Sequence, residues 1–243
     1  PGDRVLVPEP SFGEYAREIR LQGGDPVGVA HGDLLAEDPG AYAAVVVCTP
    51  NNPTGDLVDP DALRAFLDDC RAANTPLIAD EAFLDFTDAR SLAGERGVVV
   101  ARSLTKMFGL PGIRAGFAVA AGDLGERLRA ARPAWSLSAP AAAVGTYCLR
   151  QEAFVAKTRK RVDRERARMR EALSSAYDVA PSDAPFLLLD VGEESVDAVI
   201  GRAREGGVAI RDARTFSGLD SHVRVAVRRS HENDLLLDAL LDR

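Results

Sequence analysis

Lys106 follows two hydroxyl residues in the segment SLTKMFGLPGIR, which spans residues 103–114. The chain has only three lysines against twenty-seven arginines, so a lysine is an unusual choice of cation in this sequence. Arginine stays protonated in proteins, whereas lysine can lose its proton and act as an amine nucleophile. Lys106 is therefore a candidate for amine chemistry, although the segment taken alone is more typical of an ordinary surface lysine at a strand end.

Three further groups of polar residues follow apolar runs that are typical of strands. The turn TPNNPTG occupies residues 49–55, and another apolar run ends in the acids Asp80 and Glu81. A carboxylate that enters a core needs a partner, so these two acids must each find one. The third group is the pair Arg211 and Arg224, thirteen residues apart near the C-terminus. Each group is ordinary by itself, and each is also suited to binding a ligand.

Short apolar runs alternate with helical patterns over the first 150 residues. Near-continuous apolar strands separated by helices predict an α/β fold, with a mostly parallel sheet covered by helices on both faces. Ligands bind such sheets at the carboxyl ends of the strands, where the polar groups lie. The predicted strands are 4–8, 25–30, 43–49, 76–83, 97–104 and 112–120, and the predicted helices are 12–22, 60–73 and 121–132.

The pattern changes after residue 139, where a helix is followed by a long, charged connecting helix. Shorter strand and helix patterns then mix, which indicates a smaller α+β unit. We therefore predict a large domain over residues 1–150 and a small C-terminal domain over residues 151–243. In this second part the predicted helices are 139–150, 151–176, 195–206 and 231–242, and the predicted strands lie in APFLLLDV, VAIRDA and HVRVAVR.

The composition excludes several classes of protein. The net charge of −7 and the isoelectric point near 5.1 argue against a nucleic-acid partner. No apolar stretch approaches the roughly 20 residues that a membrane span needs, and we expect a cytoplasmic protein. Three scattered cysteines are too few for a disulfide scaffold or a zinc site, so no metal site is expected.

The order of the motifs carries more information than any one of them. The sequence contains NNPTG, then DEAF, then SLTK followed by PGIRAG, and then a C-terminal part that bears arginines. Together they resemble the fold-type I pyridoxal-phosphate (PLP) enzymes of the class I/II aminotransferase family, over essentially the whole chain. More narrowly, the chain resembles the group that contains histidinol-phosphate aminotransferase and threonine-phosphate decarboxylase. The finer features resemble the decarboxylase branch of that group, namely PSFGEY, DEAFLDF, RSLTK, AWS, and GLDSHVRVAVR with END.

The resemblance implies PLP as cofactor and assigns roles around its ring. Lys106 would bond to the cofactor aldehyde and then move a proton at the α-carbon of the substrate. Asp80 would pair with the pyridine nitrogen and favour the protonated ring. Asn52 would bind the ring oxygen, and Phe12 would lie against the ring face.

The resemblance also assigns the anion-binding residues. Ser103, Thr105 and Arg114 would hold the cofactor phosphate, since two hydroxyls and a guanidinium suit a dianion. Arg224 would bind the α-carboxylate of the substrate. Arg211 is a candidate for the substrate phosphate or for a second anionic contact, or else it forms a surface ion pair with the adjacent aspartate or another neighbour.

Two features depart from the family pattern. Phe83 stands where the wider family has a tyrosine whose hydroxyl contacts the ring oxygen, so Asn52 would act there alone. The family also begins with a segment of several dozen residues that supplies a Gly-rich turn for the cofactor phosphate and part of the small domain. That N-terminal segment is absent before the first predicted strand, so we expect a fragment or the product of a truncated gene.

Three functions are consistent with these features. The first is removal of the carboxylate of threonine phosphate, which would supply an aminopropanol phosphate for the cobalamin side chain. The second is amino transfer from histidinol phosphate or a related substrate, which uses nearly the same motifs. The third, from another class, is a truncated and non-catalytic remnant. By resemblance we also expect a homodimer that acts on a small phosphorylated amino acid.

Overall fold

The first part of the chain forms one sheet in the computed structural model, which describes residues 2–241. The strand order is β2-β1-β3-β4-β5-β6. The first five strands pair in parallel, and β6 is antiparallel to β5. The predicted mostly parallel sheet is therefore confirmed. Its strands are β1 (Arg4–Glu9), β2 (Asp25–Ala30), β3 (Ala44–Cys48), β4 (Leu77–Asp80), β5 (Val98–Ser103) and β6 (Gly116–Ala120).

The helices agree closely with the sequence patterns. The second of them begins where expected, because the Asp59 carboxylate accepts hydrogen bonds from two backbone N–H groups and Pro60 occupies the first helical position. None of the helices within residues 2–241 is long and apolar enough to cross a membrane. They are α1 (Glu14–Leu21), α2 (Pro60–Ala72), α3 (Leu104–Met107), α4 (Gly122–Ala131), α5 (Ala139–Cys148), α6 (Glu152–Leu173), α7 (Val196–Glu205) and α8 (Ser230–Leu241).

Helices α1 and α2 lie on opposite faces of the sheet. The apolar side of α2 packs in one core cluster with Val47 and Ala79 of β3 and β4. Successive side chains of a strand point to opposite faces, so the neighbours Cys48 and Asp80 point the other way. The hydroxyl of Tyr15 on α1 donates a hydrogen bond to Asp80, which places α1 on that second face. The predicted cover of helices on both faces is confirmed.

The C-terminal part builds a second, antiparallel sheet with α7 and α8 packed beside it. Its strands are β7 (Asp178–Val179), β8 (Phe186–Asp190), β9 (Arg211–Asp212) and β10 (His222–Ala226), in the order β7-β8-β10-β9. This arrangement confirms the predicted smaller α+β unit. One hydrophobic cluster joins Phe83, Phe86 and Met107 of the first part to the core of the second. The domain boundary at residue 150 stays a prediction.

The ends of two strands differ from the sequence prediction. The predicted strand 76–83 stops at Asp80, because the Asp80 carboxylate turns back to accept a hydrogen bond from the N–H of Ala82. The predicted strand 112–120 begins only at β6, after a 3-10 helix and a left-handed residue, Arg114, at φ 53°. Asp80 and Arg114, the residues at which these two strands differ from the prediction, both line the cavity described below.

Glu81 is a buried acid, 2% exposed, and its partners are all supplied by the chain. Its carboxylate accepts hydrogen bonds from the Ser91 hydroxyl at 2.5 Å, the Leu92 N–H at 2.9 Å and the Arg102 guanidinium at 3.0 Å. The sequence requirement that both neighbouring acids find partners is therefore met, and Glu81 serves the structure around the end of β4.

We expect Glu81→Ala to lower the free energy of unfolding by about 1–3 kcal/mol, because it leaves the buried N–H of Leu92 without an acceptor and removes one of the two carboxylates that pair with Arg102. Urea denaturation at neutral pH measures this change. The matched control is Glu205→Ala at the exposed end of α7, which should change the free energy by less than about 0.5 kcal/mol. Equal losses in the two variants would contradict a structural role for Glu81.

Candidate active site

A cavity of about 380 Å³ opens at the carboxyl ends of β3, β4 and β5. Asp80 and Ser103 are the last residues of β4 and β5, and Asn52 lies in the turn that follows β3. Parallel strands end at one edge of a sheet, so residues far apart in sequence meet there. The structure brings every predicted cofactor-binding residue to this cavity: Phe12, Asn52, Asp80, Ser103, Thr105, Lys106 and Arg114.

The Asp80 carboxylate is held by two hydrogen bonds. One oxygen accepts from the Tyr15 hydroxyl at 2.5 Å, and the other accepts from the Ala82 N–H at 2.9 Å. The sequence prediction gave Tyr15 no role, although it lies three residues after Phe12, a spacing that places two side chains on the same side of a helical turn. The two rings meet edge to face with centroids 5.6 Å apart, and both line the cavity.

The groups around Asp80 are neutral at physiological pH. Burial, followed by the charges of Cys48 and Asp80, raises the pKa of the Tyr15 phenol far above its usual value. Burial, followed by the charge of Asp80, raises the pKa of the Cys48 thiol to about 12. Cys48 is a buried thiol that also lines the cavity. Neither group adds a negative charge beside Asp80.

Two hydroxyls and a guanidinium stand at another side of the cavity. The oxygens of Ser103 and Thr105 are 2.7 Å apart, and the Thr105 N–H donates to the Ser103 oxygen at 3.2 Å. The Arg114 side chain donates to the carbonyl of Pro111 at 3.3 Å and is exposed. Hydroxyls and a guanidinium that converge in this way form a suitable donor set for a phosphate dianion.

Lys106 and Phe83 lie where this cavity meets a second one of about 630 Å³, and both residues line both cavities. The Lys106 amine is 5.3 Å from the centroid of the Phe83 ring, and the lysine is exposed. The Phe83 ring packs edge to face on Phe186 with centroids 5.2 Å apart. The position that departs from the family pattern thus supplies an apolar wall in place of a hydroxyl.

The second cavity contains the two predicted substrate-binding arginines, which are paired across β9 and β10. The Arg224 guanidinium donates a hydrogen bond to the Asn52 side-chain oxygen and lies 4.7 Å from the centroid of the Phe186 ring. The Arg211 guanidinium donates to the Thr215 hydroxyl at 3.0 Å. Arg224 therefore reaches the first cavity through Asn52.

Neither arginine is neutralised by a carboxylate within 4 Å in the part of the chain that the structure describes. The aspartate adjacent to Arg211 pairs with Arg214 at 2.7 Å. Burial, and then the charge of Arg211, lower the pKa of Arg224 to about 10, so it stays protonated at neutral pH. Two cations that repel each other beside a cavity form a site for an anion.

The first cavity fits PLP by the chemistry of its donors. Lys106 supplies an amine for an aldehyde, Asp80 a carboxylate for a ring nitrogen, and Asn52 an amide for a ring oxygen. Phe12 supplies an aromatic ring for stacking. Ser103, Thr105 and Arg114 supply hydrogen-bond donors for a phosphate. In residues 2–241 no group of three or more His, Cys, Asp or Glu side chains could hold a metal ion.

Comparisons with known proteins agree with this chemistry. Residues 1–240 match the model of the family "Aminotransferase class I and II". The chain is 35% identical to a threonine-phosphate decarboxylase of Salmonella typhimurium, over 98% of this chain and 70% of that protein. It is 32% identical to histidinol-phosphate aminotransferase 1 of Archaeoglobus fulgidus, over 98% of this chain and 75% of that protein.

A solved structure shows the same fold. The L-threonine-O-3-phosphate decarboxylase of Porphyromonas gingivalis superposes with a TM-score of 0.89 at 28% identity, over 99% of this chain and 77% of that one. The family match covers nearly the whole chain, and both relatives exceed 30% identity over most of their length. The chain therefore belongs to the class I and II aminotransferase family of PLP-dependent aminotransferases and decarboxylases.

Proposed function

We propose that the protein is a PLP-dependent decarboxylase of threonine phosphate, which would serve the cobalamin side chain. The observation that supports it most is the junction of the two cavities at Lys106. One cavity carries the donors for the cofactor, and the other carries Arg211 and Arg224 for an anionic substrate. Threonine phosphate has two anionic groups, a carboxylate and a phosphate, close to its amine, which suits two neighbouring arginines.

PLP, when bound, supplies a ring that accepts the electron pair released as a bond to the α-carbon of the substrate breaks. Lys106 would hold the cofactor covalently and then move a proton at the α-carbon. Asp80 would keep the ring nitrogen protonated, since an ionised carboxylate stabilises a positive charge beside it. Asn52, held by Arg224, would orient the ring oxygen.

The two arginines would decide which bond breaks. Arg224 would bind the α-carboxylate through its planar guanidinium, and Arg211 would bind the phosphate. The bond that stands perpendicular to the cofactor ring is the one that breaks, so placement of the substrate selects decarboxylation or amino transfer. Arg211 and Arg224 face each other across two strands, which fixes their separation.

One feature favours decarboxylation over amino transfer. Phe83 removes the hydroxyl that the wider aminotransferase family places at the ring oxygen. Amino transfer from histidinol phosphate is the alternative function, and it uses the same two cavities.

A cytoplasmic homodimer is part of the proposal. Trp135 precedes α5 and is 97% exposed within this chain. Tyr147, Leu149 and Phe154 are also exposed, on α5, after its end and on α6. Large apolar side chains grouped in this way are typical of a subunit interface.

The reaction is tested by incubating the purified chain with PLP and threonine phosphate and measuring released CO2. We expect CO2 in proportion to the amino-alcohol phosphate formed, with no requirement for an oxo acid. Histidinol phosphate with 2-oxoglutarate serves as the comparison reaction. Amino transfer that depends on the oxo acid, without release of CO2, would contradict the decarboxylase proposal and support the alternative.

A further inference from the structure

A hydrogen bond between Tyr15 and Asp80 joins helix α1 to the end of strand β4. The sequence motifs gave no indication of this contact. Tyr15 lies on α1, sixty-five residues before Asp80, and its hydroxyl donates to the carboxylate at 2.5 Å. In the described part of the chain, the other hydrogen bond to this carboxylate comes from the backbone N–H of Ala82. Tyr15 is therefore the side chain that orients Asp80.

We propose that Tyr15 is a positioning residue for the proposed reaction, whose hydroxyl holds the Asp80 carboxylate toward the cofactor ring nitrogen. This inference rests on the proposed function for its cofactor. Hydrogen bonds to the charged form of a carboxylate favour that form, and a fixed orientation removes the cost of reorganisation. Tyr15 acts only through Asp80, so it is not itself a catalytic residue.

Packing alone does not explain the hydroxyl. The Tyr15 ring meets Phe12 edge to face, and a phenylalanine would make the same ring contact. A buried hydroxyl without a partner costs free energy, and the Tyr15 hydroxyl has the Asp80 carboxylate and the Cys48 thiol beside it. The raised pKa values of Tyr15 and Cys48 keep both groups protonated. Tyr15 therefore remains a donor, and the neighbouring Cys48 thiol stays uncharged.

The test compares Tyr15→Phe with wild type in the full chain. Tyr42→Phe is the control, because it removes a tyrosine–carboxylate hydrogen bond, to Glu37, from a residue that does not line the cavity. Two quantities are measured besides activity. One is the dissociation constant for PLP by fluorescence titration. The other is the pH at which the ring nitrogen of bound, ¹⁵N-labelled PLP loses its proton, followed by NMR.

For Tyr15→Phe we expect a dissociation constant raised about tenfold, the effect of one hydrogen bond to a charged group. We also expect the ring nitrogen to lose its proton at a lower pH, because the Asp80 carboxylate is less well held toward it. In an Asp80→Asn background, Tyr15→Phe should add little. A dissociation constant and a ring titration equal to those of wild type would overturn the proposal.

A second variant covers the case in which Tyr15→Phe does not fold. A 3-fluorotyrosine at position 15 keeps the ring and the hydroxyl and makes the hydroxyl a stronger donor. A ring titration displaced from that of wild type would support the proposal, and an unchanged one would overturn it. Normal PLP binding by wild type without CO2 release would contradict only the proposed reaction. Absence of PLP binding by wild type would overturn both proposals.

Discussion

Replacement of Lys106 by arginine is expected to reduce the rate of CO2 release by about 10³-fold or more. Arginine preserves the positive charge but does not lose its proton, so it can neither bond to the cofactor aldehyde nor give a proton to the α-carbon after CO2 has left. The side chain is exposed at the junction of the cavities, so the change should leave the fold intact. Steady-state rates and the visible absorbance of the bound cofactor measure the effect.

The control is Lys157→Arg, which makes the same substitution at an exposed position of α6 and should keep the wild-type rate. Lys106→Ala offers a second check, because a small amine added to the solution can replace part of the missing side chain. We expect methylamine to restore part of the rate in Lys106→Ala and none in Lys106→Arg, where the larger side chain fills the space. Full activity of Lys106→Arg would contradict amine chemistry at this position.

The convergence of the cofactor site was predictable from strand pattern alone. Asn52 and Asp80 each follow an apolar run that could be recognised as a strand, and Ser103 ends another. The carboxyl ends of parallel strands meet at one edge, so their meeting follows once the sheet is recognised as parallel. The position of Lys106 then follows, because it comes three residues after Ser103.

The contacts that orient these residues were not predictable in the same way. The hydrogen bond from Tyr15 to Asp80 and the one from Arg224 to Asn52 join residues 65 and 172 positions apart. No periodicity or local spacing encodes such pairs, since each depends on how separate elements pack. The motif PSFGEY contained Tyr15, but its role required the position of α1 on the second face of the sheet.

The packing of the N-terminal part of the chain against the C-terminal part could not be predicted from the sequence either. Phe83, Phe86 and Met107 are apolar residues near the cofactor cavity, and their pattern does not say which core they join. In the structure they pack with Phe186 and other residues of the C-terminal part. The wall between the two cavities is therefore built from both parts, which explains how the arginines of β9 and β10 come close to Lys106.

The second large effect is expected for Arg224→Gln, which should lower kcat/KM for threonine phosphate by about 10²–10³-fold. Removing one member of a desolvated, hydrogen-bonded charge pair costs about 2–5 kcal/mol of binding, and each 1.4 kcal/mol is a factor of ten. Arg224→Lys should also lose much of the activity, because an ammonium cannot bind a carboxylate with two parallel hydrogen bonds. Steady-state kinetics over a range of substrate concentrations measure these changes.

Stability separates a binding role for Arg224 from a structural one. Burial and the charge of Arg211 lower the pKa of Arg224 in the folded protein, so folding disfavours its charged form at every pH below about 10. A neutral glutamine removes that penalty, and we expect Arg224→Gln to unfold at a urea concentration no lower than wild type. The control Arg204→Gln, at an exposed position of α7, should change neither kinetics nor stability. A variant that loses stability in proportion to activity would contradict the proposal, because the arginine would then support the fold and not the substrate.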